Sequence, residues 1–209
     1  MSGVADFSYA FSGNRNAAGG SIVVDSNPKA ATFVGTAMSK WTTTSATSLR
    51  GTFQNAENAG EMNSDFSGWN VAKVTTLVIT FAGASKFVGA GLVSWDTAAV
   101  TTLANTFYFA GEMKSDLSKW SVAKVTSLYN TFKGASKFTG TGLPTWDIAK
   151  VTTMGSTFTS ATSITSCSKR QIADVWKSNV AFATWNTAWT ADAYPPLTDA
   201  TFKQASWGT

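Results

Sequence analysis

Leu92-Val93-Ser94-Trp95-Asp96-Thr97-Ala98-Ala99-Val100-Thr101-Thr102-Leu103-Ala104-Asn105-Thr106-Phe107 is one copy of a pattern that recurs along most of this 209-residue chain. Its tryptophan has counterparts at Trp41, Trp69, Trp120 and Trp146. Each of the five lies twelve residues before a phenylalanine: Phe53, Phe81, Phe107, Phe132 and Phe158. The tryptophans are 28, 26, 25 and 26 residues apart. A period of that length marks a stacked repeat protein, because one unit cannot bury its own apolar residues and needs copies of itself on either side. The energies agree. Burying Trp, Val, Leu and Phe yields roughly 6–12 kcal/mol per unit. Ordering some 26 residues costs on the order of 1–2 kcal/mol each in backbone entropy. A lone unit stays unfolded.

Within the unit the apolar positions Val100, Leu103, Phe107 and Ala110 are spaced three, four and three, the stripe of a short helix. The same stripe recurs as Val74, Leu77, Phe81, Ala84; as Val125, Leu128, Phe132, Ala135; as Val151, Met154, Phe158, Ala161; and, more weakly, as Ala46, Leu49, Phe53, Ala56. Threonine pairs such as Thr75-Thr76, Thr101-Thr102 and Thr152-Thr153 suit a helix start, and Gly83 and Gly134 a helix stop. The segment around each tryptophan reads as a short strand. The sequence therefore predicts an α/β fold: a leucine-rich-repeat-like right-handed solenoid of five to six coils, each of ~26 residues, with short parallel strands, short helices and a helical C-terminal cap. Its expected core is Trp41, Trp69, Trp95, Trp120 and Trp146, the five phenylalanines, and Leu49, Leu77, Leu103, Leu128 and Met154.

The organisation follows from where the pattern holds. Residues 1–32 read as a partial first coil, with Phe7 and Phe11 in the Leu and Phe places. A loop excursion follows over 14–32, with a strand at Ile22-Val23-Val24. Residues 33–166 are repeats. Residues 167–193 form the cap, with Ser168 as its expected N-cap, and 194–209 a tail or linker after Pro195-Pro196. Glu61-Met62-Asn63-Ser64-Asp65 through Lys86-Phe87 reappears 51 residues later as Glu112-Met113-Lys114-Ser115-Asp116 through Lys137-Phe138, so the duplicated unit is a pair of coils.

Composition narrows the function classes. The chain has no histidine, which removes the commonest general base and metal ligand, and its single cysteine, Cys167, cannot build a thiolate site. Phosphate-loop and dinucleotide glycine patterns are missing. No catalytic residue, cofactor site or metal site is expected. Asp65, Asp96, Asp116 and Asp147 read as caps of adjacent backbone. A net charge of +4 is carried by scattered lysines with acids among them, which reads as a solvated face, not a nucleic-acid site. No run of about 18 apolar residues suggests a transmembrane helix. Val78, Ile79, Tyr108, Phe109 and Tyr129 break the repeat rhythm beside the buried stripe. They are the candidate partner contacts: either an exposed apolar patch or seals between coils. The first coil, lacking its earlier half, is a second candidate, for other proteins or identical chains.

The repeated Ser-Lys/Gly-Trp-x-Val-Ala-Lys-Val-Thr-x-Leu and the following Thr-Phe-x-Gly-Ala-Ser-Lys-Phe resemble the BspA-type surface-protein repeats, the Mycoplasma lipoprotein repeat family, usually grouped with leucine-rich repeats. The likeness runs from about Ala37 to Ala161, with leucine mostly replacing the family's methionine and Thr-Phe its Met-Phe. The closing segment Cys167–Trp189 is similar to that of algal and other protist members. The resemblance implies a secreted or cell-surface, non-enzymatic protein for adhesion or protein–protein contact. Alternative expectations are an extrinsic linker subunit of a larger, algal-type assembly in an organelle lumen, and an ice- or carbohydrate-binding solenoid.

Overall fold

The computed structural model of the chain describes residues 3–12, 38–55 and 65–185. The expected loop excursion and strand before Thr32, Ala56 of the weak stripe, Trp189 and the tail lie outside the described residues. Successive repeats pile one upon the next. The rings of Trp41, Trp69, Trp95, Trp120 and Trp146 stack in a column with centroids 6.1–6.4 Å apart. A second column runs Phe11, Phe53, Phe81, Phe107, Phe132, Phe158 at 5.5–5.9 Å. Both spacings fall in the range of offset aromatic pairs.

The expected α/β class does not form. Among the described residues there is no strand and no sheet. The coils meet through single-residue parallel bridges at Asp6, Ser48, Thr76, Thr102, Ser127 and Thr153. The α-helices found there, α1 (Ser166–Trp176) and α2 (Val180–Trp185), both follow the last repeat. The leucine-rich-type arrangement, with strands and a helix in every coil, is overturned.

The backbone hydrogen bonds give the reason. In the stretch read as a helix, the N–H groups of Leu103, Asn105, Phe107 and Phe109 donate sideways to Ser127, Tyr129, Thr131 and Lys133 of the next coil, at 2.7–3.0 Å. The intervening N–H groups of Thr106, Tyr108 and Ala110 donate three residues back, to Leu103, Asn105 and Phe107. No donor is left for the i→i−4 ladder of an α-helix. The segment is instead a staircase of β-turns. Asn105 (φ 56°) and Phe109 (φ 53°) occupy the third position of their turns, in the left-handed conformation that a type II turn requires there and a helix forbids. A three-four-three apolar spacing fits both geometries, because two linked turns return the chain to the same side about as often as one helical turn does.

The strand expected around tryptophan is likewise a turn. Met38–Lys40, Leu92–Ser94 and Leu143–Thr145 are single 3₁₀ turns, each closed by the following tryptophan N–H on a carbonyl three residues earlier, at 3.0–3.1 Å. The same carbonyl position receives the indole of the next coil. Trp69, Trp95, Trp120 and Trp146 donate Nε1–H to the oxygens of Met38, Phe66, Leu92 and Leu117 at 2.8–3.1 Å. Each indole therefore fills the core and bonds its coil to the preceding one.

A third ladder is made by threonine. Thr52, Thr80, Thr106, Thr131 and Thr157, each just before the core phenylalanine, are fully buried. The Thr106 hydroxyl is shared between the carbonyls of Leu103 in its own coil and Leu77 in the preceding one, at 2.8 and 2.9 Å. Thr80 and Thr157 do the same. The threonine pairs are not helix caps. Thr75, Thr101, Thr126 and Thr152 donate N–H and hydroxyl to the carbonyl of the equivalent residue one coil earlier.

At the C-terminal end α1 continues the aromatic column. Trp176 stacks on Trp146 at 6.3 Å and lies 6.1 Å from Phe158, with Phe182 of α2 edge-on behind it. The helix begins earlier than the sequence suggested: Thr165, not Ser168, is the N-cap, its hydroxyl accepting the Ser168 N–H at 3.2 Å.

The threonine ladder yields a direct test. Thr106→Val keeps the shape and removes a hydroxyl held by two buried carbonyls. It should lower unfolding stability by about 1–3 kcal/mol in urea titrations, whereas Thr106→Ser should cost less than half of that.

Candidate contact face

All five candidate residues lie on the turn staircase, which forms one face of the stack. The sideways bonds fix their register. Ile79 N–H donates to Ala104, Asn105 to Tyr129 and Asn130 to Gly155, while Gly83 donates to Tyr108 and Phe109 to Lys133. Val78, Ala104, Tyr129 and Gly155 thus form one column down the face, and Ala82, Tyr108 and Lys133 another. Val78, Ile79 and Tyr108 are half-buried; Phe109 and Tyr129 are 49% and 46% exposed. Tyr108 and Phe109 meet edge-to-face at 4.6 Å, and the Lys133 ammonium stands 5.7 Å from the Tyr108 ring.

The structure also defines what these side chains rest on. An added Cβ on Gly134 would come 2.5 Å from the Phe109 ring, and one on Gly51 as close to Tyr9. Asn55 lies against Gly83 in the same way, and Tyr129 against Gly155. In each case a large residue on one coil lies across a glycine at the equivalent position of the next. Phe109 covers the groove over Gly134 and presents half its surface to solvent. Aligning the repeats in columns would have revealed these pairs in the sequence.

Every complete coil carries two left-handed residues on this face. The first column is Gly51, Ile79, Asn105, Asn130, Ser156; the second is Asn55, Gly83, Phe109, Gly134, Ser160. Glycine and asparagine suit such positions. Isoleucine does not, because its branched Cβ crowds the backbone when φ is positive. Asn105 and Asn130 are linked along the column, Nδ2 of Asn130 donating to Oδ1 of Asn105 at 3.1 Å.

Ionisable groups play little part here. Arg50 donates to the Tyr9 hydroxyl at 3.1 Å. The hydroxyl and backbone N–H of Ser8, together with the Ser48 hydroxyl, hold the Asp6 carboxyl below its ordinary value. Asp65, Asp96, Asp116 and Asp147 each accept a backbone N–H two residues on, at 2.8–3.1 Å. Among the described residues no three His, Cys, Asp or Glu side chains converge on a metal-sized site. No helix there is long and apolar enough to cross a membrane. The tryptophan column is buried within the stack from Trp69 onward, so it offers no platform to a ligand. Trp185, within the stretch expected to form the cap, is 60% exposed at the end of α2 and lies beside Gly155 and Tyr129.

The molecule is thus a repeat protein held by aromatic columns and inter-coil hydrogen bonds. The chain belongs to the family described as "Mycoplasma protein of unknown function, DUF285", whose model matches residues 27–91 and 81–193. No curated protein and no solved structure matches it.

The large-over-glycine packing is testable by a mutant cycle. Gly134 has φ +74° and no room for a methyl group, so Gly134→Ala should destabilise the protein by about 1–3 kcal/mol. Phe109→Ala in the same chain should recover part of that loss, the part due to the ring. The backbone part should remain.

Proposed function

We propose that this chain is a non-catalytic scaffold that binds other proteins through the turn-staircase face, with Phe109 and Tyr129 at its centre and Val78, Ile79 and Tyr108 around them. The observation that carries the reading is Ile79. A β-branched residue held at φ 52° costs about 1–2 kcal/mol in its own coil. Asparagine stands at the equivalent positions Asn105 and Asn130 and suits that conformation. An apolar side chain kept only partly buried at such a cost is accounted for if a partner covers the rest of it. The neighbouring aromatics have the composition of an interface centre, and the single lysine beside Tyr108 adds an electrostatic preference for an acidic rim.

The likeness to BspA-type repeats supports the same reading and extends it to a secreted or cell-surface setting, where adhesion to other proteins is the family's implied role. Extended stacked faces of repeat proteins serve such contacts without any active site.

Two measurements test this. Ile79→Asn should raise the unfolding midpoint, gaining about 1 kcal/mol, because it removes the strain and extends the Asn105–Asn130 ladder. The same change should weaken partner binding. A photo-crosslinking residue at position 129 should capture a defined partner, and one at Thr126 should not. Equal capture at both positions, or partner binding untouched by the Phe109→Ala, Tyr129→Ala double variant, would overturn the reading.

A further inference from the structure

Between the last coil and the C-terminal helices lies a cleft of about 670 Å³. One wall comes from the repeat, including Trp146, Asp147 and Thr152; the other comes from the helices, including Ser178, Val180 and Trp185. Its volume is that of a small-ligand site, between about 300 and 1,000 Å³.

The lining selects a chemical class. Trp185 offers a flat indole with 60% of its surface free, whereas Trp146 and Trp176 beside it are buried. Val180, 80% exposed, adds a second apolar surface at the lip. Asp147 uses Oδ1 to accept the Ala149 N–H at 3.0 Å, which leaves Oδ2 to accept from a ligand. The Ser178 hydroxyl is on the surface and can donate or accept. No lysine or arginine lines the cleft, and its one ionised group is a carboxylate. A phosphate or carboxylate ligand would find no cation among the lining residues. A fatty chain would leave the Asp147 carboxylate and the Ser178 hydroxyl without a role in binding. A neutral ring with C–H bonds on one face and hydroxyls at its edge matches both parts of the lining.

We propose that this cleft binds a neutral saccharide, one sugar ring lying on the Trp185 indole and its hydroxyls donating to Asp147 and bonding Ser178. The cleft borders the proposed protein-contact face, since Trp185 lies beside Tyr129; Phe109 and Ile79 lie on other coils, so changes there separate the two readings.

The test uses the full chain, titrated with glucose, mannose, galactose, N-acetylglucosamine and their β-linked dimers, read by calorimetry and by quenching of indole fluorescence. At least one sugar should bind. Trp185→Ala should weaken that binding at least about tenfold, a loss of about 1.4 kcal/mol. Asp147→Asn, which keeps the turn to Ala149, should weaken it as well, while Phe109→Ala should leave it unchanged. Silence across all the sugars overturns the proposal. So does binding that survives Trp185→Ala and Asp147→Asn, which would place the sugar elsewhere.

Discussion

The structure depends on how alternate backbone N–H groups are spent along the turn staircase. Half bend the chain into turns and half reach across to the next coil. A helix satisfies its backbone within itself, and a strand satisfies it entirely with neighbours. This backbone does some of each, so a coil is partly shaped before it stacks but never satisfied alone. Side-chain hydroxyls and indoles then bond the same carbonyls from the next coil. In Thr106 the shared hydroxyl ties Leu103 to Leu77 directly. Cohesion is carried by nearest neighbours, as in any linear repeat array. That makes the last coil a problem, solved by presenting Trp176 to Trp146 as though another repeat followed.

Some of this was legible from residues alone. The twelve-residue interval between tryptophan and phenylalanine announces two columns, and burial of both follows from their size and from the impossibility of a lone coil. The local geometry was not legible. Val100, Leu103, Phe107 and Ala110 carry helical spacing, yet the chain passes through left-handed conformations at Asn105 and Phe109. Asparagine at Asn105 and Asn130, with glycine at Gly83 and Gly134, was the available signal, because both residue types tolerate positive φ and recur at fixed places. Reading Gly83 and Gly134 as helix stops recognised the conformation and assigned it to the wrong element. The buried threonines were harder to see. A hydroxyl beside a phenylalanine gives no hint that two carbonyls from different coils converge on it. The cleft at Trp185 could not be read at all, since it arises only where the helices meet the final coil.

The face that emerges is unusual in tolerating poor conformers. Once a coil is held by four sideways bonds and three ladders of side chains, a left-handed Ile79 or Phe109 is imposed by the surroundings, not chosen by the residue. Strain can then accumulate on this face without unfolding the repeat. Glycines one coil along leave room for the large side chains, so Phe109 and Tyr129 lie flat over the next coil instead of projecting freely. Rings fixed in this way lose little further freedom when a partner covers them, which favours binding per unit of buried surface.

The internal duplication sharpens that point. Residues 51 positions apart occupy equivalent places in coils two steps removed, and the core is the same in both: Phe81 with Phe132, Phe87 with Phe138, Leu92 with Leu143. On the face the pairs diverge, Val78 against Tyr129, Ile79 against Asn130, Ala82 against Lys133. Core identity needs no functional explanation, since Phe87 and Phe138 pack on Phe81 and Phe132 at 4.2 and 4.3 Å in the same manner. Divergence at a solvent-facing position would be unremarkable if both residues suited the backbone equally. They do not: the conformation favours Asn130 and penalises Ile79. Where one copy of a duplicated surface holds the residue its backbone prefers and the other holds a strained apolar one, backbone preference is not the reason for the difference. The contact proposed for this face accounts for it.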